Sequence, residues 1–135
     1  MAERSYRWQM DYQATLSGRL APLVRVAFAY TQQTKTYYGL VDSGAERSTC
    51  SVAMARAAGI QVEAFPIERI RGVGGLTRAR RCPIDLLIFG RRIGTEILVV
   101  ETTTVLLGRH DVFAAFQFGF DERAGSLLVE PYDEA

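Results

Sequence analysis

Large apolar residues recur at every second position along the early part of this chain. The pattern is clearest at 23–30, and a period of two is typical of a strand with one buried face. A polar run at 31–36 predicts a turn, and the apolar run at 37–41 predicts a second strand. Residues 14–20 form a plausible partner strand that ends before the break at Pro22. The first third of the chain therefore predicts a β-sheet.

The remaining pattern adds further short strands and two short helices. Strands are predicted at 84–89, 93–100, 102–107, 116–121 and 126–130, with Pro83 preceding the first and a tight turn at 90–92. The alanine-rich stretch 51–58 predicts a helix, because Ser51 can cap its start and Gly59 can take the left-handed position after its end. Residues 110–116 predict a second helix. About eight strands and two helices indicate a closed or sandwiched β domain.

Length and composition narrow the function classes. The chain has 135 residues, 48% of them hydrophobic, and a net charge of +1, so we expect one globular domain over 1–135 with no strong field to attract nucleic acid or a membrane surface. No apolar run suits a membrane span or signal peptide, which favours a cytoplasmic location. Cys50 and Cys82 are expected to be reduced thiols. No metal and no cofactor are expected, because no ligand set has the usual spacing.

The strongest chemical signal is Asp42-Ser43-Gly44-Ala45 at the end of an apolar strand. A carboxylate followed by a small hydroxyl residue and a glycine can lie in a turn whose main-chain N–H groups hold it while its outer oxygens face a cleft. The tripeptide alone is common turn chemistry. Two further features accompany it, a glycine-rich loop at 71–76 and the sequence Leu106-Leu107-Gly108-Arg109 near the C-terminus.

These three elements, in this order and spacing, resemble the retroviral-like (retropepsin-type) aspartic proteases, particularly their cellular and bacterial members. The resemblance covers roughly 23–130 and implies a mainly β, retropepsin-like closed domain, an acid-protease half-barrel with one or two short helices. It implies the following roles: catalysis by Asp42, Ser43 and Gly44; substrate binding by Ala45 and by a flap containing Gly72, Val73, Gly74, Gly75 and Leu76; and structural support from Glu46, Leu106, Leu107, Gly108 and Arg109. It also suggests an ion pair between Glu46 and Arg109.

Peptide hydrolysis of this kind needs two carboxylates around one water, and the chain has one Asp-Ser-Gly sequence. We therefore expect a symmetric homodimer that pairs two copies of Asp42, with an extended peptide or protein as substrate. Val73, Leu76, Ile84 and Val105 are candidate pocket walls, which would favour apolar residues beside the cleaved bond.

Other interpretations remain open. The same fold could act as a non-catalytic dimerisation or peptide-binding module. Cys50, His110 and Asp111 could form a cysteine-nucleophile site, although a packed Cys50 is the simpler expectation. The arginines around the glycine-rich loop are expected to be solvated surface residues. The segment 1–12 is a possible linker or interface segment.

Overall fold

The computed structural model describes residues 5–31, 33–72, 74–102 and 104–132. These residues form twelve strands and one α-helix, α1 (Val52–Ala57), with a 3₁₀ turn at Val62–Ala64 and a wide helical turn at Arg109–Phe113. The strands are β1 (Trp8–Asp11), β2 (Gln13–Ala14), β3 (Leu20–Ala21), β4 (Leu23–Tyr30), β5 (Gln33–Val41), β6 (Thr49–Ser51), β7 (Ile67–Gly72), β8 (Gly75–Ile88), β9 (Arg91–Val100), β10 (Val105–Leu107), β11 (Phe116–Asp121) and β12 (Ser126–Pro131).

Six strands close on themselves into a ring in the order β4, β5, β10, β6, β9 and β8. Closure comes from β8, which pairs with β9 over most of its length and also with β4, where Phe28 lies opposite Leu86. Both of these side chains are fully buried inside the ring. A closed ring leaves few free sheet edges and encloses one apolar core. The predicted mainly β, closed architecture with few short helices is confirmed.

The predicted strand at 23–30 matches β4, and its even-numbered residues Val24, Val26 and Phe28 are buried as expected. The first predicted helix is also confirmed. Ser51 Oγ accepts a hydrogen bond from Met54 N at 3.1 Å, and Gly59 has a φ of +99°. An N-cap hydroxyl and a left-handed residue after the C-terminus account for the short length of α1.

Several boundaries differ from the predictions. The expected turn at 31–36 is mostly strand, since β5 begins at Gln33. The tight turn consists of Phe89 and Gly90, with φ of 50° and 74°, because a two-residue hairpin needs left-handed backbone at both positions. The arginines that follow these two residues are therefore part of β9. The predicted strand at 14–20 is instead a small hairpin made of β2 and β3, with Leu16 fully exposed near its tip.

Pro83 lies inside β8 and does not precede the strand as predicted. It faces Glu96 of β9. Leu98 N, two residues beyond Glu96, donates to Ser48 O and so points away from β8. By alternation Glu96 and Pro83 form a pair that exchanges no main-chain hydrogen bonds, so the missing N–H of the proline is not needed. The pairing of β8 with β4 ends at Asp85. A proline costs little at such a place, so β8 continues through it.

The terminal strands form a second, three-stranded sheet in the order β1, β12 and β11. Trp8 stacks on Phe89 at 5.5 Å between ring centroids, and Tyr12 Oη donates to Glu122 Oε1 at 2.6 Å. Within the segment 1–12, residues 8–11 thus form a strand that packs with the rest of the chain. The predicted helix at 110–116 is present as a helical segment that begins with the wide turn at Arg109–Phe113 and continues through residues 114 and 115. It ends there because Phe116 starts β11 and is fully buried.

A first prediction concerns Cys50, which is fully buried in β6. Burial, with a smaller effect of Cys82, raises the pKa of its thiol from 9.0 to about 12. The raised pKa means that the unfolded chain ionises first, so the stabilisation from the neutral thiol is fully present below pH 9.0 and is lost as the pH rises toward about 12. Urea unfolding at increasing pH should show a smaller alkaline loss of stability for Cys50→Ala than for the parent chain. An equal loss in both proteins would contradict the assignment.

Candidate active site

The aspartate loop, residues 42–46, begins where β5 ends and is fixed by hydrogen bonds at both sides of Asp42. Asp42 N donates to Leu107 O at 3.1 Å, and Ala45 N donates to Asp42 O at 3.1 Å. Gly44 N donates to the carboxylate oxygen Asp42 Oδ1 at 2.9 Å. The second carboxylate oxygen has no hydrogen-bond partner within the described part of the chain. Asp42 is half-buried while Ser43 is exposed, so the carboxylate faces outward from a rigid turn.

β10 supports the aspartate loop from below. It runs parallel to β5, with Leu106 opposite Leu40 and Leu107 opposite Val41. Gly39 of β5 lies against Leu107, and a Cβ added to this glycine would be 2.9 Å from Leu107 Cγ. This close packing leaves little freedom for the strand that carries Asp42.

After β10 the chain crosses directly behind the loop. Arg109 N donates to Ala45 O at 2.9 Å, and a Cβ added to Gly108 would lie 2.5 Å from the carbonyl carbon of Arg47. Only a glycine permits this approach, because the neighbouring atoms belong to main chain. The structure therefore brings together the predicted residues Asp42 to Glu46 and Leu106 to Arg109.

A buried polar network lies behind this crossing. The Asp111 carboxylate accepts hydrogen bonds from Ser48 Oγ at 2.6 Å, Thr95 Oγ1 at 3.0 Å and Val112 N at 2.8 Å. Ser48 Oγ in turn accepts from Gly108 N at 3.0 Å. Buried polar groups need such partners, and a fully paired network rigidifies its surroundings. The roles of Ser48 and Thr95 were missed because no local pattern in the sequence links residues so far apart.

This network and the burial of Cys50 argue against the cysteine-nucleophile alternative. The Asp111 carboxylate is occupied by other donors, and the raised pKa of Cys50 disfavours the reactive thiolate. Within the described residues, no hydrogen bond joins His110 to Cys50 or to the side chain of Asp111.

The ion pair suggested between Glu46 and Arg109 is not formed among the described residues. Glu46 Oε1 instead lies 3.2 Å from His110 Nε2, and His110 N donates to Glu46 O at 2.9 Å. The wide turn that begins at Arg109 brings His110 back over Glu46, which explains why Glu46 contacts His110 and not Arg109. Both side chains of the new pair are exposed, so its contribution to stability is small.

The glycine-rich loop is the tip of an antiparallel hairpin made of β7 and the first part of β8. Gly72 lies opposite Gly75, which has a φ of +106°. Leu76 is 62% exposed, Gly74 is in the turn, and Val73 lies outside the described residues. Beyond the ring, β7 pairs with β8 only. The hairpin therefore projects from the closed ring with apolar side chains exposed to solvent.

The prediction that Ile84 and Val105 line a substrate pocket is wrong. Ile84 is 4% exposed and Val105 is 1% exposed, and both belong to the apolar core. Each occupies an inward position of its strand, which follows from the alternation of side chains along a strand. The outward neighbour Leu106 faces the side of the sheet that carries Leu40, and it is half-buried.

Neither a metal-binding cluster nor a membrane-spanning helix is present in the described ranges. No three side chains of His, Cys, Asp or Glu type are grouped there so that they could hold a metal ion. In the same ranges no helix has the length and apolar character needed to cross a bilayer.

Comparison with known proteins identifies the fold. The solved structure of EIAV protease complexed with the inhibitor HBY-793 is similar to this chain, with a TM-score of 0.54 and 26% sequence identity. The similarity covers 67% of this chain and 83% of that chain. The sequence matches no protein-family model and no curated protein. The chain has a retropepsin-like fold, that of an aspartic protease of the retroviral type.

A second prediction tests the crossing behind the loop. Gly108→Ala should destabilise the chain by about 2 kcal/mol or more, because its Cβ would overlap the main chain of Arg47 and force the aspartate loop to move. Gly74→Ala is the matched control, since a Cβ there meets nothing within 4 Å. Urea unfolding measures both variants. Equal stability of the two variants would contradict the close approach.

Proposed function

We propose that this chain is an aspartic endopeptidase, which hydrolyses peptide bonds through a water held between two Asp42 carboxylates, one from each subunit of a homodimer. The observation that supports it most is the aspartate loop itself. The Asp42 carboxylate is oriented by Gly44 N at 2.9 Å and supported by β10, in a fold similar to that of a retroviral protease.

The proposed reaction needs one ionised and one protonated carboxylate. The ionised Asp42 takes a proton from the water, and the resulting hydroxide attacks the carbonyl carbon of the peptide bond. The protonated Asp42 of the second subunit donates its proton to the carbonyl oxygen. Collapse of the tetrahedral intermediate then breaks the C–N bond. The leaving nitrogen takes the proton that the first Asp42 received from water, and a hydroxyl of the intermediate returns its proton to the second Asp42, so that both carboxylates regain their starting states. Two carboxylates in contact share one proton, because ionising both would be costly.

The second carboxylate is proposed to come from another copy, because the other described aspartates have different positions and partners. Asp111 is buried and hydrogen-bonded, Asp85 pairs with Arg92, and Asp121 accepts from Ala124 N in its own turn. Asp11 lies in β1 of the separate terminal sheet. A two-fold axis beside the exposed Ser43 would bring the two loops together, and Ser43 would then contact its equivalent in the partner.

The β7–β8 hairpin is proposed as the flap over the substrate. Gly72, Val73, Gly74, Gly75 and Leu76 would cover an extended peptide and exclude water, while Ala45 would contact the peptide from the aspartate loop.

The second candidate function is a non-catalytic dimerisation or peptide-binding module with the same fold. Loss of a fixed carboxylate at position 42 would not harm such a module, whereas hydrolysis depends on it.

A third prediction addresses catalysis. At high protein concentration between pH 4 and 7, the parent chain should cleave a diverse peptide mixture, as detected by mass spectrometry. Asp42→Asn should lower the cleavage rate by roughly 10³-fold or more, because the amide cannot accept the proton of water. Asp11→Asn is the matched control and should cleave normally. Absence of cleavage by a chain that sedimentation shows to be dimeric would contradict the peptidase and favour the binding module.

A fourth prediction addresses the flap. Leu76→Ser should lower kcat/KM by about tenfold, because serine cannot make the apolar contact with substrate that the exposed leucine side chain is proposed to make. The free energy of unfolding should stay within about 0.5 kcal/mol of the parent value, as expected for an exposed site. Ile67→Ser, at the base of the same hairpin and 52% exposed, is the control. Equal cleavage by the two variants would contradict the assignment of Leu76.

A further inference from the structure

The second edge of β9 is open along most of its length. On one edge β9 pairs with β8, from Arg91 opposite Ile88 to Val99 opposite Arg80. On the other edge β6 reaches only the last three residues of β9. Among the described residues, no other strand pairs with β9 before Leu98. An unpaired strand edge is a row of free main-chain donors and acceptors, and it can accept an additional strand.

The alternation of hydrogen bonds shows which residues face this edge. Leu98 N donates to Ser48 O at 3.0 Å, so the main chain of Leu98 points away from β8. Alternate residues of a strand point their N–H and C=O groups to the same side, so Glu96 and Gly94 also face the open edge. Pro83 of β8, which has no N–H to donate, lies opposite Glu96, and this agrees with the assignment.

The open edge borders a groove of about 650 Å³. One side of the groove consists of residues 93–96 of β9. The rest of the lining consists of Arg47 and of residues that follow β10, namely His110, Asp111, Ala114 and Ala115. A hydrogen bond from Thr95 Oγ1 to Asp111 Oδ2 at 3.0 Å joins the two parts of the lining. Gly94 has no side chain, so its main chain is accessible from the groove. The volume lies within the range of peptide and ligand sites.

One charged side chain of the groove, Arg47, suits an acidic ligand. Arg47 is half-buried and has no ion-pair partner within the described ranges. Two other polar side chains of the groove already have partners. His110 lies beside Glu46, and Asp111 accepts hydrogen bonds from buried donors. Glu96 is exposed to solvent, where its charge is hydrated. A half-buried guanidinium without a partner is suited to bind a carboxylate.

We propose that this groove binds an extended peptide that carries an acidic side chain. The peptide adds to β9 as a new strand through the N–H and C=O groups of Gly94 and Glu96, and its carboxylate pairs with Arg47. In this mode of binding, main-chain hydrogen bonds provide the affinity and the contact with one side chain provides the specificity. The site lies outside the aspartate loop and does not depend on the proposed catalysis.

The binding test uses the Asp42→Asn variant as its background, so that no probe is cleaved. The probes are labelled heptapeptides of alternating threonine and valine with either aspartate or asparagine at the centre, and binding is followed by fluorescence anisotropy. The aspartate peptide should bind about tenfold more tightly than the asparagine peptide, since one charge-assisted contact distinguishes them. Arg47→Gln should remove that difference, and Gly94→Pro should weaken both peptides. Arg123→Gln, in the exposed turn before β12, should change neither affinity.

The proposal is wrong if neither peptide binds, or if Arg47→Gln retains the preference for aspartate. It is also wrong if Gly94→Pro abolishes self-association of the chain while no peptide binds, because the edge would then pair with a second copy. Arg47→Gln keeps the test valid if Gly94→Pro does not fold.

Hydrogen exchange tests the open edge without any ligand. The amides of Gly94 and Glu96 should exchange rapidly in the free protein, while that of Thr95, which faces β8, should be protected. Addition of the aspartate peptide should slow exchange at Gly94 and Glu96. Equal protection of all three amides before the peptide is added would overturn the proposal.

Discussion

The parallel pairing of β5 with β10 determines where Asp42 lies, and the rest of the site depends on it. A hydrogen bond from Asp42 N to Leu107 O joins the ends of the two strands, and Gly108 then passes against the main chain of Arg47. The buried contacts of Asp111 with Ser48 and Thr95 hold this crossing from behind. A carboxylate at the end of a free strand would move with the loop, whereas here three layers of contacts fix it.

Local features of the sequence predicted the parts of the structure that depend on local chemistry. Alternation predicted β4, and the hydroxyl of Ser51 and the conformational freedom of Gly59 predicted the ends of α1. That Leu106 to Arg109 support the loop at Asp42 was implied only by the resemblance to the retropepsin-type proteases. The prediction failed where tertiary contacts decide. β8 runs through Pro83 because Glu96 opposite it needs no donor, which no local pattern reveals.

The contacts of individual side chains also depended on tertiary structure and were predicted wrongly for that reason. Glu46 was expected to pair with Arg109, but the wide turn after β10 presents His110 instead. Ile84 and Val105 were expected in a cleft, but the register of their strands turns both into the core. The open edge of β9 also arises from register, since β6 runs parallel to β9 and begins at Thr49, opposite Leu98, so it does not cover Gly94 and Glu96. One fold thus presents two different features, a fixed carboxylate and a free strand edge.

The central claim is that two Asp42 carboxylates act together, and subunit mixing tests it most directly. Parent chain and Asp42→Asn chain are unfolded together, refolded at varied ratios and a constant total concentration, and assayed for peptide cleavage. If each site needs two carboxylates, activity falls as the square of the fraction of parent chain, because only parent–parent pairs are competent. A linear fall would contradict the account, since one Asp42 would then be sufficient for each site.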